Sequence, residues 1–239
     1  MRPTKVDGGL AALLPTICLL CGRPARGRNI CRGCRADLPW ISKPCSRCGA
    51  PLPFDDDATQ CGACRPALAA AECIRTALVY EYPVDQLVTR MKFQSRAECA
   101  VALGELLCAY LRPRHRRGSV PLPDVLVPVP LHRRRQARRG FNQAEWIARP
   151  LARSLGLPML TRSCTRTLHT VEQTSLSGAA RRRNIRGAFR VSADLGGMTA
   201  AVVDDVLTTG STAAELAATL RAAGAGSVVV WAVARSLRR

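Results

Sequence analysis

The chain has 239 residues, 47% of them hydrophobic and 4% aromatic, with a formal charge of +19. That length accommodates one α/β domain plus a small module, and no apolar run approaches the roughly 18 residues of a membrane span. Lys5, Lys43 and Lys92 are the lysines, so nearly all of the positive charge is arginine; this argues against lysine-based catalysis over most of the chain. Arginine suits bidentate phosphate contacts. The charge puts polyanions, nucleic acid first, among the expected partners, although an arginine-rich codon bias combined with an anionic substrate accounts for it equally well. Scarce aromatics do not favour a stacking platform for single strands.

Eight of the twelve cysteines form four C-x-x-C pairs. Such regular spacing means metal more often than disulfides. Leu10–Leu20 is apolar but short and runs straight into Cys18 and Cys21, so it is not read as a signal peptide. The expectation is a reduced, cytoplasmic protein.

Residues 1–17 hold a short amphipathic piece, Gly9–Leu14, stopped by Pro15. The cysteine module follows. Cys18-x-x-Cys21-Gly and Cys31-x-x-Cys34 form its first half, Cys45-x-x-Cys48-Gly and Cys61-x-x-Cys64 its second. Each C-x-x-C-G reads as a zinc knuckle, whose tight turn aims backbone N–H groups at thiolate sulfur. Four thiolates close a tetrahedral site, so two structural zinc ions are expected. Together they would lower the net charge to roughly +15. The repeated plan favours pairing of neighbours, while interleaved pairing stays open. Iron–sulfur ligation fits the spacings less well. So small a module lacks the apolar surface to fold without metal. Cys73, Cys99, Cys108 and Cys164 have no such partner and read as small core residues.

Beyond the module the chain alternates strands and helices. Thr76–Glu81 reads as a strand, Pro83–Lys92 as a helix, Ala97–Leu111 as a strong helix and Arg112–Arg117 as a basic loop in which His115 is solvated. Asp124–Pro130 is a buried strand. Leu131–Gln143, with five arginines, follows its carboxyl end, where α/β folds place ligands. A helix runs over Gln143–Leu155, and Gly156–Leu160 gives a turn and a strand. Thr165–Phe189 is polar, basic and long, and reads as a mobile lid. Its Gln173, Arg181, Arg182, Arg183 and Asn184 are candidates to reach bound phosphates, and His169 is a weak candidate for a general base.

The centre of the reading is Ala200–Leu216, AAVVDDVLTTGSTAAEL. A buried strand over Met198–Val203 is followed by Asp204 and Asp205, and the turn Thr208-Thr209-Gly210-Ser211-Thr212 leads into a helix over Ala213–Ala223. The unpaired N–H groups of a first helical turn and the helix dipole favour an anion there. The four hydroxyls add donors, and Gly210 permits close approach. Nothing resembles a nucleotide P-loop. Two carboxylates just before a phosphate turn suit a ligand with one phosphate, a ribose and Mg²⁺. The last strand is Ser227–Ala234, and the alternation predicts a mostly parallel sheet flanked by helices.

VVDDVLTTGST resembles the phosphoribosyl-pyrophosphate (PRPP) loop of type I phosphoribosyltransferases. Four C-x-x-C knuckles, then PVPLHRRRQARRGFNQ, then RTLHTVEQTSLSGAARRRNIRGAF and the acidic loop together resemble the ComF family, also described as GntX-like, over nearly the whole chain. The second half also resembles the transferase part of glutamine amidophosphoribosyltransferase, with zinc ribbons where that enzyme has its glutaminase domain. The resemblance implies an N-terminal double zinc ribbon at 1–70 and a phosphoribosyltransferase-like α/β domain at 71–239. It implies that Asp204 and Asp205 hold the ribose hydroxyls and the Mg²⁺ shell, and that Val206, Leu207, Thr208, Thr209, Gly210, Ser211 and Thr212 complete the PRPP loop, with Thr208–Thr212 on the 5-phosphate. Val129 and Pro130 would face pyrophosphate with an arginine of the basic run, for which Arg133, Arg134, Arg138 and Arg139 are candidates and Arg139 is chosen. Arg181 joins the two acids as a catalytic candidate. The implied cofactors are two zinc ions and Mg²⁺ with PRPP. The implied partners are PRPP, single-stranded DNA or DNA-uptake proteins, and a second copy of the chain. Two functions compete: phosphoribosyl transfer to an unidentified acceptor, and a PRPP-sensing protein of DNA transport.

Overall fold

A computed structural model of the chain describes residues 16–53, 58–62, 64, 70–168 and 185–237. The elements are α1 (Arg32–Ala36), β1 (Cys73–Val79), α2 (Val84–Phe93), α3 (Ala97–Arg116), β2 (Val125–Pro128), α4 (Arg133–Arg139), α5 (Gln143–Leu155), β3 (Cys164–Arg166), β4 (Phe189–Val191), β5 (Thr199–Leu207), α6 (Ser211–Ala222) and β6 (Ser227–Arg235). Four strands form one sheet in the order β1-β6-β5-β2, and all its pairs are parallel. A parallel sheet needs cover on both faces, which explains the nearly continuous apolar runs of β5 and β6. Helix α3 packs on β1 and β6, α5 on β2 and β5, and α6 on β5 and β6. The expected parallel sheet flanked by helices is therefore the observed architecture.

The packing divides the chain into two compact units, Met1–Leu38 and Pro39–Arg239, elsewhere than the sequence modules 1–70 and 71–239. The physical reason is the second cysteine cluster. Cys45, Cys48 and Leu52 share one buried core with Ile74 of β1, Val202 of β5 and Val230 of β6. The Thr76 hydroxyl donates to the Gly49 carbonyl at 2.6 Å, and Ile41 N–H donates to Ala77 O at 2.9 Å. The second ribbon is thus part of the α/β unit's core.

Several expectations require correction. The basic loop Arg112–Arg117 is mostly helix: α3 continues to Arg116, with the Arg114 guanidinium 3.6 Å from the Tyr110 ring centre, one turn back. His115 is half-buried there, its Nδ1 3.1 Å from Val120 O. The strand expected at Gly156–Leu160 shrinks to a bridge between Met159 and Leu126, because Pro158 has no N–H with which to extend a ladder. The arginine run folds into α4, capped by His132 and ended by left-handed Gly140. The strand of the acid pair is longer than expected: β5 includes Asp204 and Asp205 and ends at Leu207. Cys99, Cys108 and Cys164 are buried as expected, and Cys73 is half-buried. Among the described residues no helix is long and apolar enough to cross a membrane.

Candidate functional site

Two clusters gather the paired cysteines. Cys18, Cys21, Cys31 and Cys34 form one, and Cys45, Cys48, Cys61 and Cys64 the other, the sulfurs of each lying within 4.8 Å of one another. Neighbours pair, and the interleaved arrangement is ruled out. Sulfur–sulfur distances of 3.4, 3.5 and 3.8 Å match the edge of about 3.8 Å expected for four sulfurs at 2.3 Å from one zinc ion. The knuckle turns supply N–H donors: Cys61 N–H to Cys45 Sγ at 3.3 Å and Cys31 N–H to Cys18 Sγ at 3.4 Å. Burial pushes the Cys18 and Cys45 thiols up, but backbone N–H groups, those of Cys21, Cys31 and Leu20 at Cys18 and of Cys61, Cys48 and Arg47 at Cys45, more than offset it and pull both down to about 6. Four-sulfur sites leave no open coordination position, so both are structural zinc-ribbon sites.

The second feature is a cleft of about 310 Å³ in the α/β unit, at the carboxyl ends of the parallel strands. Its floor is Asp204, Asp205 and Val206 of β5, with Val129 beyond β2. Thr208 and Thr212 line it from the turn and the first turn of α6. Leu131, Arg135 and Arg139 line it from α4 and the residues before it, spaced four apart along one side. Tyr80, Lys92, Phe93, Gln143 and Arg166 close the remaining walls.

The local sequence explains this assembly. The Asp204 carboxylate accepts from Asp205 N–H at 2.9 Å, and that of Asp205 from Val206 N–H at 2.7 Å, so both side chains fold back on the strand end. Gly210 takes φ 76° just before α6, a left-handed conformation that favours glycine. The Thr209 and Ser211 hydroxyls are buried and bond each other at 2.9 Å. Arg235, at the end of β6, donates to Thr208 O at 3.2 Å and fixes the turn from behind. On the opposite wall, the Asn142 side chain caps α5 through Ala144 N–H and donates to Val129 O at 3.2 Å. A parallel bridge from His132 to Arg166 ties β3 to the start of α4.

Charge dominates the cleft. Lys92 Nζ lies 2.8 Å from Asp205 Oδ2. Burial pulls the Lys92 ammonium down, but the adjacent Asp205 carboxylate more than offsets this and leaves it above the ordinary lysine value. Burial, then the neighbouring Asp205 charge, raise the Asp204 carboxyl to about 7. Burial and the nearby Arg135 charge pull Arg166 down to about 10, so it stays cationic at neutral pH. Gln143 is 8% exposed, and among the described residues its Oε1 accepts no hydrogen bond. Four cations, two acids and two threonine hydroxyls therefore face one small space, which suits a polyanion carrying hydroxyl groups.

Of the residues expected to bind PRPP, Val129, Arg139, Asp204, Asp205, Val206, Thr208 and Thr212 line the cleft; Pro130, Leu207, Thr209, Gly210 and Ser211 lie outside its lining. Arg133, Arg134 and Arg138 do not line it either. Arg135 does, a turn before Arg139 and four residues after Leu131, a spacing that has meaning only because the run is helical. Arg181, together with His169, Gln173, Arg182, Arg183 and Asn184, lies outside the described residues. Tyr80, Lys92, Phe93, Gln143 and Arg166 were not anticipated. The scarcity of lysine argued only against lysine-based catalysis over most of the chain, and Lys92 stands in the cleft as the ion-pair partner of Asp205. Its one signal was being the sole lysine after residue 71.

Residues 9–65 match the family model described as the double zinc ribbon domain. The chain is 38% identical over 226 residues to DNA utilization protein YhgH of Escherichia coli (strain K12), covering 94% of this chain and 99% of that protein. It is 35% identical over 211 residues to competence protein F of Haemophilus influenzae, covering 87% and 91%. The chain belongs to the ComF family. As in the ComF pattern of motifs, ribbons precede an α/β unit with an acidic strand end. Among solved structures it matches the purine phosphoribosyltransferase from Pyrococcus horikoshii with a TM-score of 0.35 and 18% identity, over 56% of this chain and 70% of that one.

Proposed function

We infer that the cleft binds PRPP with Mg²⁺ and that the protein transfers its phosphoribosyl group to an acceptor in the use of DNA. One observation carries the reading: an acid pair at a strand's carboxyl end, one turn from a helix N-terminus, lines one cleft of about 310 Å³ together with arginines of α4 and β3. The α6 N-terminus and the hydroxyls of Thr208 and Thr212 suit the 5-phosphate. Carboxylates of Asp204 and Asp205 suit the ribose diol and are hard oxygen donors of the kind Mg²⁺ takes. Arg135, Arg139 and Arg166 suit the diphosphate, with Val129 beside them. Mg²⁺ on the diphosphate would supply charge neutralisation as the leaving group departs. The chain's own residues do the rest: the arginines stabilise the negative charge that grows on the diphosphate oxygens, and the acid pair fixes the ribose for attack at its anomeric carbon.

Relatives named for competence and DNA utilization support a role in handling DNA, and a cytoplasmic setting suits eight cysteines reserved for metal. The net charge of +19 favours a second reading, in which the protein senses PRPP and binds DNA without transfer. A screen for pyrophosphate release from Mg²⁺–PRPP with free purines, pyrimidines and single-stranded DNA as acceptors separates the two. Release with one acceptor establishes transfer. DNA binding that weakens steeply with salt, without release, establishes the second reading.

A further inference from the structure

The Lys92–Asp205 pair sits inside the cleft, and its ammonium takes one carboxylate oxygen of the acid pair at 2.8 Å. Asp205 is nearly fully buried, while the Lys92 side chain keeps a quarter of its surface exposed. The ammonium is thus held by the acid yet open to the cleft. Val84, Leu87, Val88 and Met91 bury the inner face of α2, which anchors the helix whose last turn carries Lys92.

A diphosphate sugar brings several negative charges toward two adjacent carboxylates, and like charges in a partly dry cleft repel strongly. Enzymes of phosphoryl and pyrophosphoryl chemistry commonly relieve such repulsion with a bound divalent cation. Here a cation is already built in. The geometry points to Lys92 as a resident cation of the acid pair, a positioning residue that lets the cleft take PRPP with a reduced requirement for Mg²⁺. Lys92 neutralises Asp205 and holds its carboxylate against the strand, leaving Asp204 to the ribose hydroxyls. Arg166, Arg135 and Arg139 line the same cleft and supply further positive charge for the diphosphate. This inference rests on the PRPP reading.

The test is calorimetric titration with PRPP in excess MgCl₂ and again in EDTA. The wild-type dissociation constant in EDTA should lie within about tenfold of that in MgCl₂, and Lys92→Met should widen this ratio by at least about tenfold. Lys92→Arg, which keeps the charge, should return the ratio to within about threefold of wild type. A purely structural role for Lys92 weakens binding equally in both buffers and leaves the ratio unchanged, and that result overturns the inference. Wild-type binding in MgCl₂ but none in EDTA overturns it too, even if Lys92→Met does not fold, while leaving the PRPP reading intact. Absence of PRPP binding in either buffer removes the reading itself.

Discussion

Lys92, on the last turn of α2, and Asp205, near the end of β5, meet at 2.8 Å across 113 residues of sequence. The contact makes the end of α2 a wall of the cleft and gives the acid pair a fixed counter-charge. With Arg135, Arg139 and Arg166 it turns an acidic strand end into an anion site.

The elevated Asp204 carboxyl predicts a pH signature. Its value of about 7 lies above the ordinary 3.8, so between those limits the native state holds a proton that the unfolded chain has released. Stability from this group is complete below about pH 4 and is lost as pH rises through 7. Asp204→Asn should therefore stabilise the unliganded protein at pH 8 by about 1–3 kcal/mol and change little at pH 4. Denaturant melts at several pH values would reveal it; parallel profiles for the two proteins would contradict the assignment.

The ribbons should behave unequally. Metal analysis should give two zinc ions per chain. Because Cys45 and Cys48 lie in the α/β unit's core, Cys45→Ser should lower that unit's melting temperature by at least about 5 °C. Cys18→Ser should leave the same transition nearly unmoved, since Cys18 belongs to the smaller unit. Scanning calorimetry with zinc quantification decides it, and equal losses would count against the division.

Helices α3 and α5 cross closely at Gly104, where an added Cβ would stand 2.3 Å from the Ile147 carbonyl oxygen. Gly104→Ala should destabilise the fold by about 1–3 kcal/mol through forced separation of the helices. Urea unfolding measures this; an unchanged midpoint would show that the helices yield freely.

Arg166 stays charged in the cleft, and its value of about 10 reflects burial and Arg135. Arg166→Met should weaken pyrophosphate binding by roughly tenfold or more while sparing ribose 5-phosphate. Equal loss for both ligands, measured by competition, would move Arg166 away from the diphosphate.

How much of this was legible in the sequence depended on range. The zinc sites are local, since each knuckle is a four-residue turn, and they could be read directly from spacing. The strand–acid–turn–helix unit is likewise contiguous from Ala200 to Leu216. Neighbour pairing of the ribbons needed three dimensions, because spacing alone fits two arrangements. Lys92, Tyr80 and Arg166 were not legible as site residues: Tyr80 and Lys92 follow β1, which parallel pairing sets beside β6, and Arg166 comes from the separate antiparallel pair β3–β4, tied to α4 by its bridge with His132. Arg135 was legible in principle from its four-residue offset to Leu131 and Arg139, but only once α4 was known to be a helix.

PRPP binding by the acid pair of β5 is decided by titrating Mg²⁺–PRPP into wild type and into the Asp204→Asn, Asp205→Asn double variant. Saturable binding in wild type and a loss of at least about a hundredfold in a still-folded double variant are expected. Equal affinity in the two proteins, or no binding to wild type, would contradict PRPP binding by the acid pair.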